Sequence, residues 1–412
     1  MRGDVRAAIT MLSLAALAAA CGGGGGGTRD GGPDAAPPRD GGEDAAAPGD
    51  GQDAAVPGDA VPDAAPPDAA LPDAPAAWTP YGLLSLNLHC LKLDGTGFAD
   101  NAARFAAVAQ AAAAEEVRAI VVQEACRNAG ADAMALLGAA LESATGEAWS
   151  REWVSAHTAW AGTPDEAEEG VGLFARGPLE EVQTLEYAVQ GPLRRLALGA
   201  RLPAALGGLR LWSTHLEVSD AAVRLAQARQ TAAALVTLAA PSLDVVVGGD
   251  FNDIAAAAPC LAMSAYDFRD LSDGLEPDRI DHVYAHLGSA LGAQARTTVF
   301  DGTTYPVVSD HHGVLVTIAP APAAPVTRTT IRANVDVGWG HSVAVRGNQA
   351  PLDWSAGWPA VATASAEWTL VLTAFAPGET FEYKCLRDDA TYQTGANAVG
   401  TGGQDNEVVP NF

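Results

Sequence analysis

The fold is decided by residues 118–124, RAIVVQE, an apolar run that ends in a carboxylate. Its β-branched residues favour a buried strand. An alanine-rich segment, Ala99 to Glu116, predicts a helix before it, and Leu83 to Asn87 predicts a strand before that helix. The order strand, helix, strand is typical of a mixed α/β layered domain.

The following residues continue this alternation. Ser219 and Asp220 can cap a long helix that runs to about Leu238. A further helix is predicted at residues 131–141, and strands are predicted at residues 170–175, 195–202, 209–214, 243–248, 280–284 and 313–318.

Charge limits the class of ligand. The chain has 412 residues and a formal net charge of −26, and its lysines are Lys92 and Lys384 alone. A nucleic-acid groove built on lysine is therefore excluded, and a polyanion would have to be bound through arginine or a metal ion.

The N-terminal residues have the features of an export signal. Arg2 and Arg6 precede an apolar run, and small residues then lead to Cys21. This pattern resembles a bacterial lipoprotein signal, which implies a signal peptide at residues 1–21, a lipid anchor at Cys21 and a place in the bacterial cell envelope. A plain secretory signal is the alternative.

Residues 22–77 are expected to be a disordered linker. They consist mainly of Gly, Pro, Asp and Ala, with eleven acidic and two basic residues. Such a segment cannot bury enough apolar surface to offset its ordering entropy.

The remaining cysteines leave two readings open. Cys90 and Cys126 each follow a predicted strand end, so they could form a disulfide or remain buried thiols. No C-x-x-C or Cys/His metal spacing accompanies Cys260 or Cys385.

Polar residues stand at the ends of the apolar strands. Glu124 ends one strand, and Asp250 and Asn252 follow another with side chains on the same side. A buried carboxylate must be paired or bound to metal. Oxygen ligands of this kind suit Mg²⁺ or Mn²⁺.

Two histidines accompany these residues. His215 and His311 each have an upstream acid, Glu169 and Asp281 respectively. Such carboxylates can orient an imidazole and keep it protonated near neutral pH.

These pieces together resemble the endonuclease/exonuclease/phosphatase superfamily, from about residue 78 to 319. The matching motifs, in order, are SLNLH with Asn87, VVQE with Glu124, EGVGL with Glu169, STHL with His215, GGDFND with Asp250 and Asn252, RIDH with Asp281, and SDH with Asp310 and His311. The resemblance implies a four-layer α/β sandwich with two mixed sheets packed face to face.

The resemblance also implies residue roles. Asn87, Glu124 and Asp310 would hold the metal, Asp250 would position the attacking water, and Asn252 would contact the phosphate. His215 with Glu169, and His311 with Asp281, would bind and protonate phosphate oxygens. Arg195 is a further phosphate contact, for which Arg194 and Arg201 compete. His89 departs from the family, where an acid is common, and a neutral histidine there would remove one anionic metal ligand.

The C-terminal residues have a different pattern. Residues 320–324 read as a linker, and residues 325–412 as a small all-β sandwich with strands at 329–335, 341–345, 367–372 and 380–386. Their motifs resemble a glucoamylase-type starch-binding domain. That resemblance implies α-glucan contacts through Trp354, Lys384, Tyr392 and Asn397.

The sequence therefore predicts an exported, metal-dependent phosphoric ester hydrolase, acting as a monomer and attached to a carbohydrate-binding module. The alternative is a glycan-binding surface lipoprotein with a decayed catalytic domain. Nucleic acid, phospholipid and sugar phosphate all remain open as substrates, as does the choice between monoester and diester.

Overall fold

The computed structural model describes residues 78–239 and 242–412. The predicted signal peptide and linker, residues 1–77, lie outside the described residues. Among the residues that are described, no helix is both long and apolar enough to span a membrane.

Two six-stranded mixed sheets form the centre of residues 78–320, which are called the α/β body below. The first has the strand order β11-β12-β1-β2-β4-β3, and the second β5-β6-β7-β8-β10-β9. The strands are β1 Tyr81–Asn87, β2 Val117–Arg127, β3 Trp149–Ala159, β4 Ala167–Arg176, β5 Glu180–Glu186, β6 Leu196–Arg201, β7 Arg210–His215, β8 Val245–Asp250, β9 Phe268–Asp270, β10 Asp281–His286, β11 Leu291–Val299 and β12 Gly313–Pro320.

Side-chain alternation explains why the sheets pack face to face. Leu83 and Val121 point into a core shared with the second sheet, whereas Leu84 and Val122 point to the helices on the outside. Every residue of β1 is buried, because both faces of that strand are covered.

Helices form the two outer layers. They are α1 Asn101–Ala114 and α2 Ala133–Thr145 on the first sheet, and α3 Ala221–Leu238 and α4 Ala258–Ala265 on the second. Asp100, Asp132 and Asp220 cap the first three by accepting backbone N–H hydrogen bonds. The body is thus the four-layer α/β sandwich that the sequence predicts.

The C-terminal residues add two small sheets. One has the order β16-β17-β13-β21, and the other is built from β15, β14, β18 and β19, with β20 paired to β18. Their bounds are β13 Thr329–Asn334, β14 Val343–Gly347, β15 Trp358–Pro359, β16 Val361–Ala364, β17 Glu367–Leu372, β18 Thr380–Arg387, β19 Thr391–Tyr392, β20 Ala398–Thr401 and β21 Asp405–Val408.

These C-terminal sheets share a hydrophobic core with α3, α4 and the second sheet. The ring of Tyr266, after α4, lies 4.8 Å from that of Trp358, and its hydroxyl donates to the Val371 carbonyl. Thr373 donates to Asp267 at 2.6 Å across the same contact. The structure packs residues 325–412, which the sequence predicts to be a module of their own, directly against the α/β body.

The predicted linker also lies against that body. Ala321 and Ala324 donate backbone N–H groups to the carbonyls of Ala290 and Leu287, at 3.1 and 3.0 Å. Two of the five predicted linker residues are therefore hydrogen-bonded to the turn between β10 and β11.

Candidate active site

The site lies where strands of both sheets end. His215 at the end of β7 is in register with Asp250 at the end of β8, and Asp250 is in register with Asp281 at the start of β10. Asn87 ends β1 in the facing sheet and reaches Asp250. The sheet packing thus brings together residues that are far apart in the sequence.

Asp250 is the buried centre of this group. Its Oδ2 accepts from Asn87 Nδ2 at 3.1 Å, and its Oδ1 accepts from the backbone N–H of Asn252 at 2.8 Å. Burial, followed by the Asp281 carboxylate, raises the pKa of Asp250 to about 7. The carboxyl can therefore exchange a proton near neutral pH.

His311 pairs with Asp281 as the sequence predicts. Its Nδ1–H donates to Asp281 Oδ2 at 2.6 Å, and its Nε2 lies 3.8 Å from Asp250 Oδ2. Burial opposes the charge on the ring, but the Asp281 hydrogen bond and the nearby carboxylates outweigh it and raise the pKa of His311 to about 10. The imidazole is therefore positively charged at neutral pH.

His215 has a different partner from the one expected. Its Nδ1 accepts from Arg195 Nη1 at 2.9 Å, and the same Nη1 donates to Glu169 at 3.2 Å. Burial, and then the Arg195 charge, lower the pKa of His215 well below its ordinary value. The expectation that Glu169 holds His215 protonated is wrong, because the guanidinium lies between them and favours the neutral ring.

Arg195 is the arginine that enters the site. It is 4% exposed, whereas its two competitors in the sequence are occupied at the surface. Arg194 pairs with Glu186, and Arg201 pairs with Glu181.

His157 is a site residue that the sequence does not reveal. It lies on β3 opposite Glu169, with Nε2 3.6 Å from Glu169 Oε1. Burial, and then Arg195, lower its pKa. No motif surrounds His157, so only the pairing of β3 with β4 could have found it.

The donors expected for a metal are hard oxygen ligands. Asn87 Nδ2 donates to Glu124 Oε1 at 3.1 Å, so the two side chains already touch. Burial, and then the Glu169 carboxylate, raise the pKa of Glu124, and Asp310 adds to this effect. This accumulation of negative charge would be relieved by a divalent cation, so the residues fit such an ion.

His89 takes up one of these donors. Its Nδ1 lies 3.0 Å from Asp310 Oδ2, and its Nε2 lies 3.3 Å from Asp94 Oδ2. The Asp310 hydrogen bond raises the pKa of His89. The hydrogen bond favours the protonated form of His89 and engages an Asp310 oxygen that a metal ion would otherwise use.

A second set of ligand atoms also lies close together. Asp250, Asp281 and His311 each offer an atom within 4.8 Å of the others. This acidic cluster differs from the set expected from the resemblance, and both sets share the same site.

Several residues of the site have left-handed backbone. His89, Cys90, Glu124 and Asn252 have φ values of 48°, 52°, 47° and 52°. Non-glycine residues in this region cost energy and persist where the surroundings impose them, commonly at functional sites.

A disulfide ties two of these segments together. Cys90 follows β1 and Cys126 lies near the end of β2, and the two are bonded. The structure therefore selects the disulfide from the two readings that the sequence leaves open. It fixes the segments that carry Asn87 and Glu124.

Of the predicted glucan contacts, Lys384 and Tyr392 lie on strands of the C-terminal sheets, and Trp354 and Asn397 lie in turns beside them. Trp354 and Tyr392 are 38% and 41% exposed, and Arg346 Nη1 donates at 3.1 Å both to the Trp354 carbonyl and to the Tyr392 hydroxyl oxygen. Lys384 donates to the carbonyls of Gln393 and Gly395. Asn397 donates to Glu382 at 2.8 Å.

Comparison with known proteins agrees with this architecture. The family model described as "Endonuclease/Exonuclease/phosphatase family" matches residues 84–311, which is more than half of the chain. No curated protein is significantly similar to the chain in sequence.

Several solved structures are matched over 58% of this chain. A protein of this family from Leptotrichia buccalis is 15% identical with a TM-score of 0.48, and it is matched over 58% of this chain and 99% of its own. The mannosyl-6-phosphatase of Bacteroides thetaiotaomicron is 14% identical with a TM-score of 0.45, over 58% and 99%. Sphingomyelinase C of Streptomyces griseocarneus is 19% identical with a TM-score of 0.41, over 58% and 99%.

Proposed function

Because the chain belongs to the endonuclease/exonuclease/phosphatase family, whose members are hydrolases of phosphoester bonds, we propose that it hydrolyses a phosphoric ester with the help of Mg²⁺ or Mn²⁺. The observation that carries the proposal is the buried Asp250 carboxyl, in contact with Asn87 and close to two imidazoles. A carboxyl with a pKa near 7 is suited to take a proton from an attacking water.

The other side chains have complementary roles in this proposal. The positively charged His311 stabilises and protonates phosphoryl oxygens, and Asp281 fixes the orientation of its ring. The buried guanidinium of Arg195 adds a second positive charge at the phosphate. The neutral His215 presents Nε2 3.5 Å from Asp250, which suits a hydrogen-bonding role. Glu169 holds Arg195, and Asn252 contacts the phosphate.

Asn87, Glu124 and Asp310 are the residues that would hold the cation. When bound, it would polarise the phosphoryl oxygen and neutralise developing charge. The protein supplies the oxygen ligands, and the contact of His89 with Asp310 sets how readily that carboxylate is released.

Metal dependence is the first test. EDTA should abolish the hydrolysis of bis(4-nitrophenyl) phosphate or 4-nitrophenyl phosphate, and added Mg²⁺ or Mn²⁺ should restore it. Glu124→Gln should need far more metal, whereas Glu147→Gln, an exposed glutamate bonded to Arg176, should behave as wild type. Full activity in EDTA would refute the metal requirement.

Variants of the proton-transfer groups give the second test. His311→Ala and Asp250→Asn should each lower kcat by at least about 10²-fold. His341→Ala, an exposed histidine paired with Asp388, is the matched control and should have no effect. Turnover absent from the wild type on both esters would favour a glycan-binding protein with a decayed catalytic domain.

We further propose that the C-terminal sheets bind α-glucan weakly. The support is the exposed pair Trp354 and Tyr392, whose rings can stack on sugar faces. Lys384 and Asn397 would order the neighbouring segments, and Lys384 retains a third N–H for a sugar hydroxyl. Trp354→Ala should abolish sedimentation of the full chain with insoluble starch. Equal retention on starch and on cellulose would contradict the proposal.

Export with a lipid anchor at Cys21 also remains a proposal, as do a monomeric state and a place in the cell envelope. Its support is the apolar run before Cys21 and the polar linker after it. In a bacterial host, radioactive palmitate should label the wild type, and Cys21→Ser should remove the label. An unlabelled, released wild type would instead indicate a plain secretory signal.

A further inference from the structure

Two residues of the matched motifs have no part in the proposed chemistry, His282 of RIDH and Asp253 of GGDFND, and they are in contact. His282 is fully buried on β10, directly after Asp281. Its ring Nε2 lies 3.0 Å from the backbone carbonyl oxygen of Asp253, and its Nδ1 lies 3.0 Å from Asp270 Oδ2 on β9. The ring therefore bridges the β9 edge of the second sheet and the loop that follows β8.

The hydrogen-bond partners of this ring determine its charge. A carbonyl oxygen can only accept, so Nε2 of His282 carries a hydrogen. Asp270 Oδ1 accepts from the Ser272 backbone N–H at 2.8 Å, and its Oδ2 accepts from Arg279, so neither oxygen is free to carry a proton. Nδ1 therefore carries a hydrogen as well, and His282 is an imidazolium. Such a buried charge is tolerated because both of its donors are satisfied.

The loop that His282 contacts carries the proposed phosphate contact Asn252. This residue has left-handed backbone, with a φ of 52°, which costs energy for a residue with a side chain. On its N-terminal side, the Phe251 N–H donates to the Ile280 carbonyl at 2.9 Å. The rings of Phe251 and His282 also meet edge to face at 5.7 Å. On the C-terminal side, the loop backbone is held by the bond from His282 to Asp253.

The other groups that contact Asp253 cannot replace this bond. Cys260 Sγ lies 3.7 Å from the same carbonyl oxygen, but a thiol is a weak donor. Arg224 Nε donates to the Asp253 carboxylate at 3.0 Å, so it holds the side chain and not the carbonyl. Among the residues that the structure describes, His282 is thus the one strong donor to this carbonyl.

We propose that His282 is a positioning residue of the active site, which donates to the Asp253 carbonyl and thereby holds Asn252 in the geometry that the phosphate requires. Asp250, whose Oδ1 accepts the Asn252 N–H at 2.8 Å, shares this support. Because His282 is fully buried, it acts through the backbone and does not touch the substrate. The inference rests on the proposed hydrolysis for its kinetic effect, and on the loop geometry alone for its structural effect.

Two variants of the full-length chain separate the two donors of the ring. In His282→Gln the side-chain amide takes the place of Nε2 and keeps the donor to Asp253, whereas in His282→Asn it takes the place of Nδ1 and keeps only the donor to Asp270. Both variants lose the charge. With the 4-nitrophenyl esters, His282→Asn should lower kcat by at least about tenfold, because small displacements at a reacting centre are costly, and His282→Gln should stay within about threefold of the wild type. Equal kcat values in the two variants would overturn the proposal.

His286 supplies the matched control. It is also fully buried on β10, but it contacts Thr373 and Gly288, outside the site. His286→Asn removes a buried imidazole from the same strand, so it should lower the urea midpoint while leaving kcat unchanged. A loss of kcat equal to that of His282→Asn would show a general effect of destabilisation and would overturn the positioning role.

Hydrogen exchange tests the loop geometry without turnover. The N–H groups of Phe251 and Asn252 are both hydrogen-bonded, so a peptide covering residues 247–255 should exchange at least about tenfold faster in His282→Asn than in His282→Gln. A wild type that hydrolyses neither ester refutes the proposed function alone, and the exchange comparison then decides the inference. Equal exchange in the two variants overturns it. If His282→Asn does not fold, His282→Gln should exchange within about threefold of the wild type, and faster exchange overturns the proposal.

Discussion

Replacing Trp358 with alanine should destabilise the α/β body as well as the C-terminal sheets. The indole is 2% exposed, packs on Tyr266 and donates Nε1–H to the Pro351 carbonyl at 2.7 Å. Burying a tryptophan removes roughly 200 Å² from water, which at about 25 cal/mol per Å² corresponds to about 5 kcal/mol. Since core relaxation recovers part of this, we expect a loss of about 3–5 kcal/mol in the free energy of unfolding.

Urea unfolding of the full chain, followed by two probes, measures this effect. The described helices all lie before Tyr266, so far-UV ellipticity at 222 nm reports mainly the unfolding of the α/β body. Tryptophan fluorescence also reports the unfolding of the C-terminal sheets. Both midpoints should fall together in the Trp358→Ala variant. The control Trp339→Ala alters a fully exposed side chain and should change stability by less than about 0.5 kcal/mol. If only the fluorescence midpoint moved, the shared core would not couple the two parts and our reasoning would be refuted.

Three further predictions concern other buried groups. Burial lowers the pKa of His286 from 6.5 to about 4, so at acid pH the unfolded chain binds a proton that the folded chain excludes. The free energy of unfolding should therefore fall by up to about 3 kcal/mol as the pH drops from 6.5 to 4. His286→Gln should flatten this pH dependence in urea titrations, and an unchanged dependence would contradict the prediction. In the same assay, the double variant Cys90→Ser/Cys126→Ser should lose about 4 kcal/mol of unfolding free energy, because the disulfide closes a loop between residues 36 apart. An unchanged urea midpoint would show that the disulfide contributes little to stability. Arg195→Gln should raise the pKa of His215, measured by NMR titration of the ring, because burial persists but the neighbouring positive charge is removed; an unaltered titration would place the cause elsewhere.

Most of the fold follows from local sequence patterns. The apolar strands that end in Glu124 and Asp250, and the helix capped by Asp220, lie within a few residues of their predicted bounds. Two edge strands, β3 and β5, lack the local pattern that marks a strand. β5 has mostly exposed side chains, so it lacks the apolar alternation that marks a strand. β3 carries a register shift between Ser155 and His157, which breaks its alternation.

The site could be predicted as a set of residues but not as a set of charge states. Motif order indicates Asp250, Asp281 and His311, because Asp250 ends β8, Asp281 begins β10 and His311 lies just before β12. The pKa of His215 is lowered by burial and then by Arg195, and both act only after β6 and β7 pair. No local pattern specifies which of two long-range partners approaches an imidazole to 3 Å, so such assignments require the folded chain.

The packing of the C-terminal sheets against α3 and α4 fixes the distance between the predicted glucan contacts and the candidate active site. A module on a free tether raises local substrate concentration over a sphere whose radius depends on tether length. Here Tyr392 lies on β19 and Trp354 lies in the turn between β14 and β15. The C-terminal sheets share a core with the α/β body, so both rings are held at a fixed distance from Asp250. If a glucan chain binds at that surface, only a phosphate ester at one set distance along the chain can reach Asp250.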